Sequence, residues 1–149
     1  MEVDDPGRMH FIDSLWMDLD TGEAPIAVGA VLEFSGRAPA IGRVRQRIAE
    51  VLTSAVRLRQ VPVASRTGVL QPKWSDAEPD LVHHVTRETA DDLGAAVSRI
   101  MSRPLPNDRP LWDLTLVVGY APREWALVWR IHHSVADGEG VTMLVGRTL

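Results

Sequence analysis

An α/β layer structure, with helices packed against a largely antiparallel or mixed sheet, is the fold class this sequence predicts. Two apolar stripes at helical spacing carry half of that expectation: Ile41, Val44, Ile48, Val51, Leu52, Ala55 and Val56, and then Leu93, Ala96, Val97, Ile100 and Met101. Short runs of strand-forming residues, bounded by glycine, proline and aspartate, carry the other half. These runs often follow one another directly, so the order disfavours a doubly wound parallel sheet with its glycine fingerprint.

Taken in order, Met1 to Arg8 is polar and reads as a loose terminus. Met9 to Asp20 places Phe11, Ile12, Leu15, Trp16 and Leu19 at helical spacing, which predicts a short docking helix that buries Trp16 and is capped by Asp13 or Ser14. A turn at 21–25 leads into a strand over Ile26 to Phe34, and the first long stripe follows. Arg43, Arg45, Arg47, Arg57 and Arg59 read as a solvated face rather than a phosphate site, since nothing Gly-rich or aromatic accompanies them. Leu58 to Val63, Gly68 to Trp74 and Leu81 to Thr86 read as short extended segments, the last with His83 and His84 on opposite faces. Thr89 and Asp92 resemble a capping box for the second stripe, which Pro104 ends. After a turn-rich 104–110, Leu111 to Val118, a turn at 119–123 and Glu124 to Ile131 form a hairpin with Trp112 as a core anchor, and Arg109 pairs with Asp108 or Asp113.

Composition bounds the function. With 149 residues and 45% hydrophobic content, the chain suits one domain spanning 1–149. A net charge of -4 gives no general attraction to nucleic acid or anionic membranes. The absence of cysteine rules out disulfides and thiolate metal sites, and no stretch has the length of a transmembrane helix or the pattern of a signal peptide. The expectation is a cytoplasmic protein without a metal, because neither His83-His84 nor His132-His133 has the i, i+4 spacing of helical ligands.

The hairpin delivers the stretch with most chemistry in it, Arg130-Ile131-His132-His133-Ser134-Val135-Ala136-Asp137-Gly138. It reads as a strand, a tight turn and a helix start. If the strand runs on, His133 shares the apolar face of Trp129 and Ile131, while His132 shares the other face with Arg130. A neutral imidazole can take a proton from a hydroxyl or amine near neutral pH, and His133 is the candidate general base. Asp137 reads as a strut of the turn rather than a second base, because capping alone accounts for an aspartate before a helix. Gly138 permits an approach that a Cβ would obstruct.

His132 to Gly138 resembles the His-His-x-x-x-Asp-Gly signature of the condensation-domain and acyltransferase superfamily that shares the chloramphenicol acetyltransferase-like fold. Pro104-Leu105, the Arg109-Pro110-Leu111-Trp112 segment, Asp80 to Val85, and Pro72 with Trp74 resemble, in the same order, segments of its wax ester synthase/diacylglycerol acyltransferase branch. The resemblance covers about residues 10 to 149 and roughly the amino-terminal half of a family member.

It implies acyl transfer from a coenzyme A or carrier-protein thioester to an alcohol or amine, with no covalently bound cofactor. His133 would act as base, His132 would orient the turn, Asp137 would lock the loop against an arginine such as Arg130, or against backbone donors, and Gly138 would admit substrate. The expected partner is a carboxyl-terminal half, on a separate chain or missing, that closes the channel. A carrier-protein-dependent condensation enzyme of natural-product assembly and a non-catalytic scaffolding half remain as alternatives.

Overall fold

The computed structural model describes residues 7–64, 72–135 and Gly146. Its elements are α1 (Phe11–Leu19), β1 (Ala27–Ser35), α2 (Ile41–Leu52), a 3-10 turn (Val56–Arg59), β2 (Gln60–Val63), β3 (Lys73–Asp76), α3 (Leu81–His84), β4 (Val85–Thr89), α4 (Leu93–Ser102), β5 (Trp112–Val118) and β6 (Glu124–His132). The main sheet runs β1-β6-β5-β4; its first two pairings are antiparallel and β4–β5 is parallel. This is the mixed, largely antiparallel sheet the sequence predicts. β2 and β3 form a separate antiparallel pair.

The two helical stripes clothe opposite faces of that sheet. Val44, Ile48, Val51 and Leu52 of α2 share a core with Leu114, Leu127, Trp129 and Ile131, whereas Ala96 and Ile100 of α4 pack on Val117, Ala126 and Val128. β6 therefore alternates between two cores and is buried on both faces, which explains a nearly continuous apolar sequence in an antiparallel strand. Trp112 anchors the α2 side: it is 1% exposed, its indole N–H donates to the Leu58 carbonyl at 2.8 Å, and its ring tilts against His84 and Trp129. The hairpin turn needs Gly119, whose φ is +95° and where a Cβ would lie 2.9 Å from a Thr89 methyl.

Several local expectations are corrected. The segment at 81–84 is a helical turn before β4, because Asp80 Oδ1 accepts the Val82 N–H at 2.9 Å and Oδ2 lies 2.7 Å from His83 Nδ1, holding a cap that a strand could not use. His83 and His84 still diverge, the first exposed and the second buried between the Asp80 and Pro110 carbonyls. Asp92 is itself the cap of α4, accepting the Ala95 N–H, while Thr89 belongs to β4. Of the extended run predicted at 58–63, Leu58 and Arg59 belong instead to the 3-10 turn, and most of the predicted extended run at 68–74 lies outside the described residues.

The arginines of the α2 region are mostly structural. Arg45 donates to the Val85 and Val82 carbonyls, Arg47 pairs with Glu50, Arg59 with Glu78, and Arg57 lies over the Trp74 ring.

α1 departs furthest from expectation. Neither Asp13 nor Ser14 caps it; its N-cap is His10, with no side-chain bond. The helix rests on Ser14 and Met17, and the Ser14 hydroxyl is satisfied by the Phe11 carbonyl at 2.8 Å. Phe11, Ile12, Leu15 and Leu19 stand 44–68% exposed, and Trp16 is half-buried at the edge of that stripe. The apolar face at helical spacing, which normally marks the core side, points outward here.

Arg130, 2% exposed, is opposite Asp113 in the β5–β6 register, and its Nε donates to Asp113 Oδ1 at 3.0 Å while other nitrogens reach Asp113 Oδ2 and the Arg103 carbonyl. Removing one partner strands a buried charge. Asp113→Ala should lower stability in urea titrations by about 3 kcal/mol or more, and adding Arg130→Met should restore much of that loss.

Candidate active site

β6 is held at its last residues from both sides. The His132 N–H donates to the Leu111 carbonyl at 2.9 Å, the His133 N–H donates to the Ile26 carbonyl at 3.0 Å, and the Val135 N–H closes a turn onto the His132 carbonyl. The strand ends at His132, so pleat alternation no longer directs His133 onto the apolar face of Trp129 and Ile131. Instead its ring stacks on Trp16 of α1, with centroids 4.3 Å apart and planes 27° from parallel. The ring is half-buried, and its nitrogens make no hydrogen bond among the described residues.

His132 is 2% exposed, and its Nδ1 is committed to the turn. Its Nδ1 accepts the Ser134 N–H at 3.1 Å and lies 2.7 Å from Ser134 Oγ, which is itself 3.5 Å from Met17 Sδ. With Nδ1 accepting, the neutral ring carries its proton on Nε2. That atom lies 3.3 Å from Asp20 Oδ2 without the alignment of a hydrogen bond. Asp20 follows α1, and its Oδ1 accepts the Gly22 N–H at 3.0 Å in a turn where Gly22 takes a φ of +77°. Ser134 in the turn is thus the hydrogen-bond partner of the His132 ring, and Asp20 faces its other nitrogen.

A cleft of about 330 Å³ opens beside His132, between Met17 and Asp20 on one side and the Pro104–Asn107 loop and Leu111 on the other. His133 is not among its described lining residues. The structure therefore separates the two rings as expected but gives the cleft to His132 and the aromatic stack to His133. Asp137 and Gly138 lie outside the described residues. Arg130, the arginine expected against Asp137, has Asp113 and the Arg103 carbonyl as its partners instead.

Trp16, Asp20 and Ser134 were not singled out from the sequence as parts of the site. Trp16 carried the signal of a core aromatic, and nothing local links Asp20 to a histidine more than a hundred residues later. Arg109 pairs with Asp108 at 2.9 Å, one of the two carboxylates expected. Among the described residues, no group of three or more His, Asp or Glu side chains could hold a metal ion, and no helix is long and apolar enough to cross a membrane.

Burial holds the His132 imidazole below the ordinary histidine value, with the nearby Asp20 carboxylate pulling the other way and His133 adding to the depression. The unfolded chain then takes up this proton first on acidification. The contribution to stability is complete above about pH 6.5 and is lost as pH falls from there to the lower folded value. Thermal unfolding followed between pH 7.5 and 5.5 should show a fall in Tm that is smaller in His132→Asn.

Residues 9–149 match the family model of the wax ester synthase/diacylglycerol acyltransferase catalytic domain. A Mycobacterium tuberculosis protein named as a diacylglycerol O-acyltransferase is 28% identical over 146 residues, covering 90% of this chain and 32% of its own length. A Mycobacterium bovis protein of the same name class is 31% identical over 153 residues, covering 93% and 30%. The wax ester synthase/diacylglycerol acyltransferase of Marinobacter aquaeolei superposes with a TM-score of 0.78 at 26% identity, over 95% of this chain and 36% of that one. The starter condensation domain of rhizomide synthetase superposes with a TM-score of 0.75 at 18% identity, over 95% and 37%, a likeness of fold alone. The chain spans about a third of the length of the curated relatives it matches.

Proposed function

The chain belongs to the wax ester synthase/diacylglycerol acyltransferase catalytic-domain family, and from that premise we propose that it is the amino-terminal part of an O-acyltransferase moving an acyl group from a thioester to an alcohol. The observation that carries the base assignment is the unequal use of the two imidazoles. His132 has its acceptor nitrogen occupied by Ser134, whereas the nitrogens of His133 are uncommitted among the described residues. A general base needs a free lone pair within reach of the proton it removes, and only His133 of the pair offers one.

In this reading the thioester is carried by coenzyme A or an acyl carrier protein. His133 accepts the alcohol proton as the oxygen attacks the thioester carbonyl. The carbon–sulfur bond breaks when the tetrahedral intermediate collapses, and the proton passes to the leaving thiolate. No covalent acyl-enzyme is required. Trp16 holds the ring plane through the stack, and the Ile26 and Leu111 carbonyls hold the backbone beneath it. Asp137 and Gly138 are assigned to the loop lock and to substrate approach on the strength of the motif alone.

A carboxyl-terminal part is the proposed partner. Relatives carry about twice as much additional chain, and α1 presents four large apolar side chains with no cover, close to the base. Such a face beside a reacting group suits a wall that excludes water and fixes donor and acceptor together. The condensation-type alternative has the fold likeness and the shared histidine signature behind it, but no family match.

The test is acyl transfer from acyl-coenzyme A to a long-chain alcohol by this chain together with the carboxyl-terminal part. His133→Ala should lower the rate by 10²- to 10⁴-fold. Retention within about tenfold would move the chain to the non-catalytic scaffold reading. Leu15→Glu should weaken association with the carboxyl-terminal part, measured by sedimentation, while leaving the Tm of this chain unchanged.

A further inference from the structure

Asp20 stands where the surroundings of the two histidines meet. Its backbone N–H closes α1 onto the Trp16 carbonyl at 3.2 Å, and Trp16 carries the stack on His133. Its carboxylate is divided between Gly22, whose N–H reaches Oδ1 at 3.0 Å, and the His132 ring, whose Nε2 lies 3.3 Å from Oδ2. The Asp20 side chain is only 15% exposed, and among the described residues no arginine or lysine pairs with it. A carboxylate set so closely against a buried imidazole bears on which ring nitrogen holds the proton.

Neutral His132 has two tautomers, and they would build different turns. The Ser134 N–H can only donate, and it reaches Nδ1 at 3.1 Å. A proton on Nδ1 would set two donors against each other and leave the bare lone pair of Nε2 facing a carboxylate. A proton on Nε2 makes both contacts favourable. The nitrogen that Asp20 leaves free to accept is therefore the one that holds the residue directly after His133.

We propose that Asp20 is a positioning residue for the acyl-transfer base. By keeping the His132 proton on Nε2 it preserves Nδ1 as the acceptor that fixes the turn, and with it the place of His133. The role rests on the base assignment to His133 made above. It reaches His133 by two routes, through the His132–Ser134 turn and through the end of α1, whose Trp16 faces the base.

The discriminating variant is Asp20→Asn, studied with the carboxyl-terminal part present. Its amide oxygen can keep the Gly22 N–H, but its NH2 group then replaces Oδ2 and opposes a proton on Nε2. Asp20→Ala loses both contacts. Nitrogen NMR of histidine-labelled protein at about pH 8, where the ring is neutral, should find the His132 proton on Nε2 in the unaltered protein and a population moved to Nδ1 in Asp20→Asn. Acyl transfer in both variants should lose about tenfold in kcat with KM little changed. A proton on Nδ1 in the unaltered protein would overturn the proposal without any variant having to fold. A tautomer that ignores Asp20→Asn, or a kcat in Asp20→Asn within about twofold of the unaltered value, would overturn it as well. His133→Ala, assayed beside them, separates the two claims. Near-full activity there removes the base assignment and the role built on it, whereas a large loss there with a normal Asp20→Asn removes the positioning role alone.

Discussion

The pairing of β6 between β1 and β5 is the constraint on which the rest of the structure depends. Every residue from Ala126 to His132 is buried, so a slip by one position would drive Arg130 and His132 into the α2 core and carry Trp129 and Ile131 across to the α4 face. The register is further locked by the Arg130–Asp113 pair, which is directly cross-strand, with Arg130 buried and Asp113 half-buried. A strand fixed so firmly delivers its last residues to one place. The two carbonyls that receive the His132 and His133 N–H groups, from Leu111 and Ile26, belong to the approaches of the two neighbouring strands. The site is thus the frayed end of the best-determined element in the chain.

Helix α1 completes the arrangement from outside the sheet. Its residues reach both histidines: Trp16 stacks on His133, Met17 meets Ser134, and Asp20 at its end faces His132. One helix therefore sets the plane of one ring and the electrostatic surroundings of the other. It does so while resting on Ser14 and Met17 and leaving its broad apolar face bare, which is consistent with a seat designed from two sides. In family relatives about three times as long, there is ample chain to supply the second side.

Much of the fold was legible in the sequence because two period-3.6 stripes and one apolar hairpin were long enough to declare themselves. α2, α4, β5 and β6 fall where the patterns place them, and Trp112 is the anchor expected. The departures are local: Asp80 turns 81–84 into a helix through its cap, and α1 rests on Ser14 and Met17 while its apolar stripe faces solvent. At the site, strand alternation led to the expectation that the two rings part, but the strand stops at His132 and the turn after it carries His133 to Trp16. Which ring would be consumed by structure was not legible, since that depends on Ser134 and Asp20 meeting it in space.

The sheet's order carries a consequence for synthesis. β1 is made well before its hydrogen-bonding partner β6, and among the described residues no other strand of the sheet adjoins it. Until β6 arrives, Ala27 to Ser35 is an unpaired edge held in waiting across the whole of α2 to β5, and closing so long a loop is slow. Chaperone demand should therefore centre on that interval, and a nascent chain stalled before Glu124 would offer an open strand to any passing neighbour.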